Sequence, residues 1–450
     1  MMDPLGRVLW RWHFYGGLIF IPFMILLAIT GAIYLVVDEY EGLAYASLVQ
    51  SSAIGPDERI VPLQSQMRLV RARYPAYQPN LLIVRPGRNN EFVLGRSIAA
   101  RQNADDKDTS AGSGWALRAT ESPGRISVFV DPVSGGILGV LNDDTRFMHL
   151  IKKLHSELLL GRFGTKFVEL AANWGIVLVL MGGILWWKRL GPTRSGVLWP
   201  RWRKGGSSRT YWRNLHAVVG IYLLLPLLFL LFSGLPWTDV WGGLFKHFKQ
   251  AIGQAAPASF FDRSVRSVDR GDGQPIDLDR LMGIIQSEGV DGYLKIRLPL
   301  NDRGAFNVLR ESDDPSQRVV LQIDQYSGRV LHRVRWQDNP WLERLVAVAI
   351  KIHRGEYFGR TNQMLGLVTA LLLIVVSISG LITWLKRRPR GCLAPPPRPA
   401  SWQAPHWLLL CITIAAVSLP LLGLSLLAVF VINHSMDWLR NRRQWRQREM

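Results

Sequence analysis

The sequence predicts a mainly α-helical membrane protein, built as a duplicated helix–(α+β domain)–helix unit with a fifth C-terminal span appended. Three observations predict it. The apolar residues of this 450-residue chain are gathered into a few long runs, and a bilayer core needs about 20 apolar residues at roughly 1.5 Å per residue. The short connections between runs are basic and without acids. The same residue types recur at the same offsets in the two halves of the chain. Such clustering of the 48% hydrophobic residues excludes a soluble globular enzyme, and several of the 18 Trp sit at the ends of the runs, where interfacial residues belong. The two cysteines, Cys392 and Cys411, are too far apart for a CxxC site. They exclude a disulfide scaffold, a zinc-finger array, a cysteine-ligated iron–sulfur cluster and CxxCH haem attachment.

Taken in order, residues 1–37 hold a short N-terminus and the first span, which is too long for a signal-peptide core. A first outer domain covers 38–163 and the second span 164–187, interrupted by Glu169 and Asn173 in its outer half. An intramembrane carboxylate ordinarily faces a bundle interior or a polar cavity. A basic loop, 188–211, leads to the third span, 212–236, then to a second outer domain, 237–360, and the fourth span, 361–385. A basic linker with Pro395, Pro396, Pro397 and Pro399 covers 386–405, and residues 406–450 hold the fifth span and a basic tail. Residues 101–124, rich in Gly, Ser, Asp and Ala, read as a disordered insertion.

Lys188 to Arg213 carries eight basic residues and no acid, and Lys386 to Arg398 carries five and none. Loops of that kind lie in the cytoplasm, which places the N-terminus inside and both long domains outside. The outer domains are nearly neutral, so most of the net charge of +20 belongs to the cytoplasmic face. Positive-inside topology accounts for the charge, and no nucleic-acid partner is expected. The tail with Arg440, Arg442, Arg443, Arg446 and Arg448 would lie outside after five spans, against the rule, unless Pro420 and Gly423 bend the last segment back.

The repeat is ungapped around four histidines. Gly17 and Gly31 follow His13 by 4 and 18 residues, and Gly220 and Gly234 follow His216 by the same offsets. Gly182, Trp186, Lys188 and Arg189 follow His155 by 27, 31, 33 and 34 residues, as Gly380, Trp384, Lys386 and Arg387 follow His353. Each outer domain carries a helical pattern, near 62–74 and 277–287, and a hairpin turning at Ser134-Gly135 or Ser327-Gly328. The halves run in the same direction, as parallel repeats do.

His13 and His216 open spans at one membrane face, while His155 and His353 precede spans at the other. That makes two layers of two imidazoles. Zinc wants three or four ligands, and no third ligand repeats. Haem needs only its two axial positions filled. The expected cofactors are therefore two haem b, one per layer, with iron held by His13 and His216 and by His155 and His353 in a four-helix haem-binding bundle. Gly17, Gly220, Gly31 and Gly234 would give the porphyrin bare backbone, although close helix packing uses glycine in the same way. Arg11, Arg162 and Arg360 stand where propionates need cations, and His149 is a further candidate neighbour without a repeat partner. A histidine at a membrane boundary is ordinarily structural, and His247, His332, His406 and His434 are expected to face solvent. No GxGxxG, Walker motif or inner domain is present to bind a nucleotide, so an electron donor would be external, a quinol or a flavoprotein.

The duplicated Asp-x-x-Ser-Gly hairpins resemble PepSY domains. The segments Trp12-His13-(x)3-Gly17, Leu215-His216-(x)3-Gly220, Leu154-His155 and Ile352-His353 resemble PepSY-associated transmembrane proteins. Members described as iron-regulated membrane proteins and ferric-siderophore reductases occupy Gram-negative inner membranes. The resemblance implies PepSY-like outer domains in the periplasm and an oxidoreductase carrying electrons to a periplasmic Fe(III) chelate. The alternative is a non-redox membrane protein whose outer domains bind a peptidase or a metal-uptake subunit.

Overall fold

The computed structural model describes residues 3–51, 59–96, 124–188, 207–257, 260, 262, 265–267, 273–397 and 404–448. Most of the insertion at 101–124, the basic loop beyond Lys188 and part of the Pro-rich linker lie outside the described residues. The chain forms two compact units, one of residues 1–32, 153–244 and 366–450 and the other of 33–152 and 245–365.

The first unit is helical. Helices α1 (Pro4–Tyr34), α6 (Gly161–Trp187), α7 (Ser208–Gly234, extended by a 3-10 turn to Trp237) and α11 (Gly359–Leu385) are long and apolar enough to cross a membrane. They match the four expected spans, with ends extended by a few residues. Pro226 lies within the third span, and Ser207 caps its start by accepting from Thr210 N–H. Phe20, Met24, Ala171, Trp174, Ile176, Leu235, Leu419 and Leu422 form the core of this unit.

The C-terminal segment departs from the expected single fifth span. It forms two helices, α12 (His406–Ser418) and α13 (Pro420–Arg448), broken at Leu419. Pro420 has no N–H to continue the α12 ladder. At Gly423 an added Cβ would fall 2.6 Å from the Ala416 carbonyl oxygen, so the two helices meet too closely for any side chain there. Neither apolar stretch reaches the length of the other four spans.

The second unit is an eight-stranded antiparallel sheet with helices packed on it. Its strands are β1 (Tyr77–Val84), β2 (Asn90–Arg96), β3 (Ile126–Val130), β4 (Ile137–Asn142), β5 (Leu294–Arg297), β6 (Ala305–Arg310), β7 (Val319–Asp324) and β8 (Val330–Arg335). The order β4-β3-β2-β1-β5-β6-β7-β8 joins two four-stranded meanders edge to edge. The sequence suggests one α+β domain per half; the halves instead share one sheet, because β1 pairs with β5 through Leu81↔Arg297, Leu82↔Ile296, Ile83↔Lys295 and Val84↔Leu294. Each terminal hairpin is irregular at the corresponding place, Phe129/Val130 and Gln322/Ile323.

Helices α4 (Leu63–Arg73) and α9 (Leu278–Ser287) cover one face, and their apolar residues share a core with the sheet, Met67, Val70, Leu281 and Ile285 against Leu82, Phe92, Ile296 and Val308. The helices satisfy one another's free ends. Leu63 N–H donates to Asp279 Oδ1, and Leu278 N–H donates to Gln64 Oε1. The chain also forms the shorter helices α2 (Val37–Ala44), α3 (Ala46–Val49), α5 (Phe147–Glu157), α8 (Val240–Ala251) and α10 (Trp341–His353).

Candidate functional site

His13 and His216 enter from the third turns of α1 and α7, and the helices bring their rings together with centroids 6.1 Å apart and planes at 77°. Each ring is half-buried. Each is backed by a helix of its own half of the chain. His216 Nδ1 lies 2.8 Å from the Val376 carbonyl oxygen on α11. A carbonyl only accepts, so Nδ1 carries the proton and Nε2 keeps its lone pair. Four residues on, Gly380 presents no side chain, and a Cβ there would stand 3.0 Å from His216 Cε1.

The arrangement repeats around His13. The Leu178 carbonyl on α6 stands beside its ring, and a Cβ on Gly182 would lie 3.3 Å from His13 Cε1. Here the hydrogen bond is not closed, and His13 Nδ1 is a buried atom without a partner.

His155, near the end of α5, is held on its Nδ1 side by Thr30 Oγ1 at 3.0 Å. The Thr30 hydroxyl donates to the Leu26 carbonyl at 2.7 Å, so its oxygen accepts from Nδ1–H, which again leaves Nε2 as the lone-pair nitrogen. Gly31 is the bare surface beneath this ring, a Cβ there falling 3.2 Å from His155 Cε1. His353 closes α10 in the other compact unit, two residues after the buried Lys351.

The remaining residues singled out from sequence take varied places. Gly17 has no atom within 4 Å of an added Cβ and so faces open space, whereas Gly220 is in ordinary contact with Val376 at 3.7 Å. Gly234 ends α7. Arg11 donates to the Pro396 carbonyl at 2.5 Å and to Tyr15 Oη at 3.2 Å, which commits it to the linker. Arg162 and Arg360 are exposed second residues of α6 and α11. Arg360 lines a pocket of about 210 Å³ with Tyr34, Arg354 and Glu356. His149 lies six residues before His155 on α5, about 240° around the helix and off its face. His247, His332, His406 and His434 are exposed.

Sequence reasoning missed Thr30 and the seats at Gly182 and Gly380. The glycines were visible as an offset of 27 from His155 and His353. A repeat offset reports equivalence, however, and not which histidine a glycine touches.

Glu169 is fully buried in α6. Its carboxyl oxygens accept from Val240 N–H at 2.9 Å and Trp241 N–H at 3.0 Å, capping the start of α8. Asn173, one turn on, is fully buried with neither side-chain polar atom hydrogen-bonded.

In the sheet unit, burial alone would raise Glu311, but Lys295, Arg318 and Lys351 outweigh it and hold its carboxyl far below the usual carboxylate range. Lys295 Nζ donates to it at 3.0 Å and Lys351 Nζ lies 3.3 Å away. Lys351 also donates to Glu356 at 2.5 Å, so the network fixes the last turn of α10, which carries His353.

The residues fit haem. With a metal–nitrogen bond of roughly 2 Å, two imidazoles on opposite sides of one metal have centroids roughly 6 Å apart. A held Nδ1 with Nε2 left as the lone-pair nitrogen, as at His216, is what iron ligation asks of histidine. Gly17, one turn after His13, has open space beside its bare backbone. No curated protein matches the chain. Residues 10–387 match the PepSY-associated TM region, so the chain is a multi-pass membrane protein that belongs to the PepSY-associated transmembrane family.

Proposed function

We propose that the protein is an inner-membrane di-haem b electron-transfer protein that reduces Fe(III) chelates in the periplasm. The single observation that carries the reading is the His13–His216 pair, 6.1 Å between centroids, inside a bundle of spans. Bound haem b supplies one-electron redox chemistry. His13 and His216 would hold one haem iron, on the cytoplasmic side, and His155 and His353 are the residues proposed to hold a second, on the periplasmic side. His13 and Thr30, which holds His155, lie 17 residues apart on α1, and about 25 Å of helix keeps His13 and His155 from sharing one iron. Val376 and Thr30 hold the Nδ1 side of His216 and His155, which leaves Nε2 of each as the lone-pair nitrogen. The apolar walls of the spans exclude water and lower the dielectric around the route.

Electrons come from a quinol or a separate flavoprotein at the cytoplasmic side, and each two-electron donor reduces two Fe(III) chelates to Fe(II). Reduction weakens the hold of hard oxygen ligands, which frees the metal. The basic segments 188–213 and 386–398 set the orientation.

A pyridine haemochrome assay on protein made with ample haem should find two haem b per chain. His216→Ala should remove one and leave the other, and it should abolish donor-driven reduction of a ferric siderophore. Colourless protein would sink this reading and leave a non-redox, partner-binding membrane protein.

A further inference from the structure

In an α-helix the carbonyl of residue i accepts from the N–H of residue i+4, and side chains crowd its second lone pair. A glycine at i+4 uncovers that lone pair to a donor arriving from the side. Val376 and Gly380 stand in this relation, as do Leu178 and Gly182. In both cases a histidine ring occupies the uncovered place, with Nδ1 toward the carbonyl and Cε1 against the glycine. Gly31 is likewise bare beneath His155, but there Nδ1 meets the Thr30 hydroxyl and not a carbonyl. The His216 ring, pinned at two adjacent atoms, loses its freedom to spin about χ2, so its plane is set by the backbone, while His13 rests against Gly182 at Cε1.

We infer that Gly182 and Gly380 are positioning residues that, with the Val376 carbonyl, set the His13 and His216 imidazole planes nearly perpendicular. The inference rests on the haem reading above and concerns the electronic state of that haem. The observed angle is 77°. Parallel axial imidazoles split the two iron d orbitals that point between the porphyrin nitrogens and the axis. Perpendicular imidazoles leave those orbitals nearly degenerate. The ferric low-spin centre then has one very large g value, and its reduction potential lies above that of a parallel pair. The seats therefore set how readily the haem near the donor takes an electron, without touching iron.

The two seats are unequal. An added methyl at Gly380 would stand 3.0 Å from Cε1 and 3.1 Å from Nδ1 of His216, which forces the ring to move. At Gly182 the closest approach is 3.3 Å, and a small adjustment relieves it. Gly283, on α9, has nothing within 4 Å and serves as a control.

The experiment is EPR spectroscopy and a redox titration of the oxidised, full-length, haem-loaded protein in detergent, with haem content measured in parallel. The wild type should show a large-g low-spin signal that disappears, with one haem, in His216→Ala. Gly380→Ala should keep both haems, lose the large-g signal to a rhombic or high-spin one, and shift the midpoint of that haem. Gly182→Ala should do the same to a smaller extent, and Gly283→Ala should match the wild type. Two haems with only rhombic signals in the wild type would overturn the perpendicular lock. So would an unchanged signal and midpoint in Gly380→Ala. If that variant does not fold, the wild-type line shape and Gly182→Ala decide the matter. Haem-free wild-type protein would instead remove the reading beneath the inference, an outcome visible in the haem assay before any EPR spectrum.

Discussion

Helices α6 and α11 are two copies of one span, aligned without a gap from Gly161 and Gly359 to Lys188 and Lys386, and they differ most at three positions. Glu169, Asn173 and Trp174 of α6 stand where α11 has Leu367, Leu371 and Leu372. The polar residues of α6 have structural tasks that its twin lacks. Glu169 caps α8, and Trp174 Nε1 donates to Ser425 Oγ of α13 at 3.1 Å. Trp241, at the start of the capped helix, donates to the Ser418 carbonyl at 3.0 Å. The C-terminal helices thus dock on the first-half copy. The duplicated framework differs on the side that holds the appended segment, while a glycine lies under the histidine ring in both copies.

The sheet unit carries a second contrast between the halves. In the first, a cation sits among acids: Arg146 lies 2.8 Å from Glu41 and 3.7 Å from Glu91. In the second, an anion, Glu311, sits among cations.

Giving α6 the residues of α11 breaks the first contrast. Glu169→Leu leaves two buried N–H groups without acceptors and should cost about 4 kcal/mol, read as a lower melting temperature in detergent. A loss below about 1 kcal/mol would show that the α8 cap is not held by this carboxyl.

The second contrast is tested at Glu311. Glu311→Gln should destabilise by about 3 kcal/mol, since it strands three cations around a neutral amide. The sign with pH follows from its lowered pKa. The stabilisation is present above the unfolded carboxyl value and fades as pH falls below it toward the folded value. Urea midpoints of wild type and variant should therefore converge with acidification below about pH 4.5. Parallel curves would remove Glu311 as the titrating group.

Asn173→Leu should act in the opposite direction. Replacing an amide without partners by the residue of the other copy should stabilise by about 1–2 kcal/mol. Destabilisation in the same melting assay would mean that a bound water or ligand satisfies the amide. The smallest effect is Trp174→Phe, which removes the bond to Ser425 and should cost about 1 kcal/mol. Pairing it with Ser425→Ala should show non-additive losses.

Hydropathy and basic loops made the four spans legible to within a few residues, because bilayer thickness fixes the length of an apolar run. The pairing of His13 with His216 was legible because equivalent residues in parallel repeats come to the same level. Three features were not. The β1–β5 joint is centred on Arg297, Ile296 and Lys295, and edge pairing leaves no mark that periodicity can read. Gly31 resembled a gap left for a cofactor, whereas its backbone carries the His155 ring. The break at Leu419 was foreshadowed by Pro420 and Gly423, yet an unbroken apolar run reads as one span until packing is known.

The joint between β1 and β5, with its crossed caps Leu63–Asp279 and Leu278–Gln64, is the contact that two separate half-length chains would make about a two-fold axis. The protein is thus a dimer that has been tied together. The tether raises the effective concentration of each half for the other, so the joint needs no great affinity of its own. Substitutions can then accumulate on one side, as in α6, without a matching change on the other. A symmetric dimer of identical chains has no such freedom, since every change appears twice.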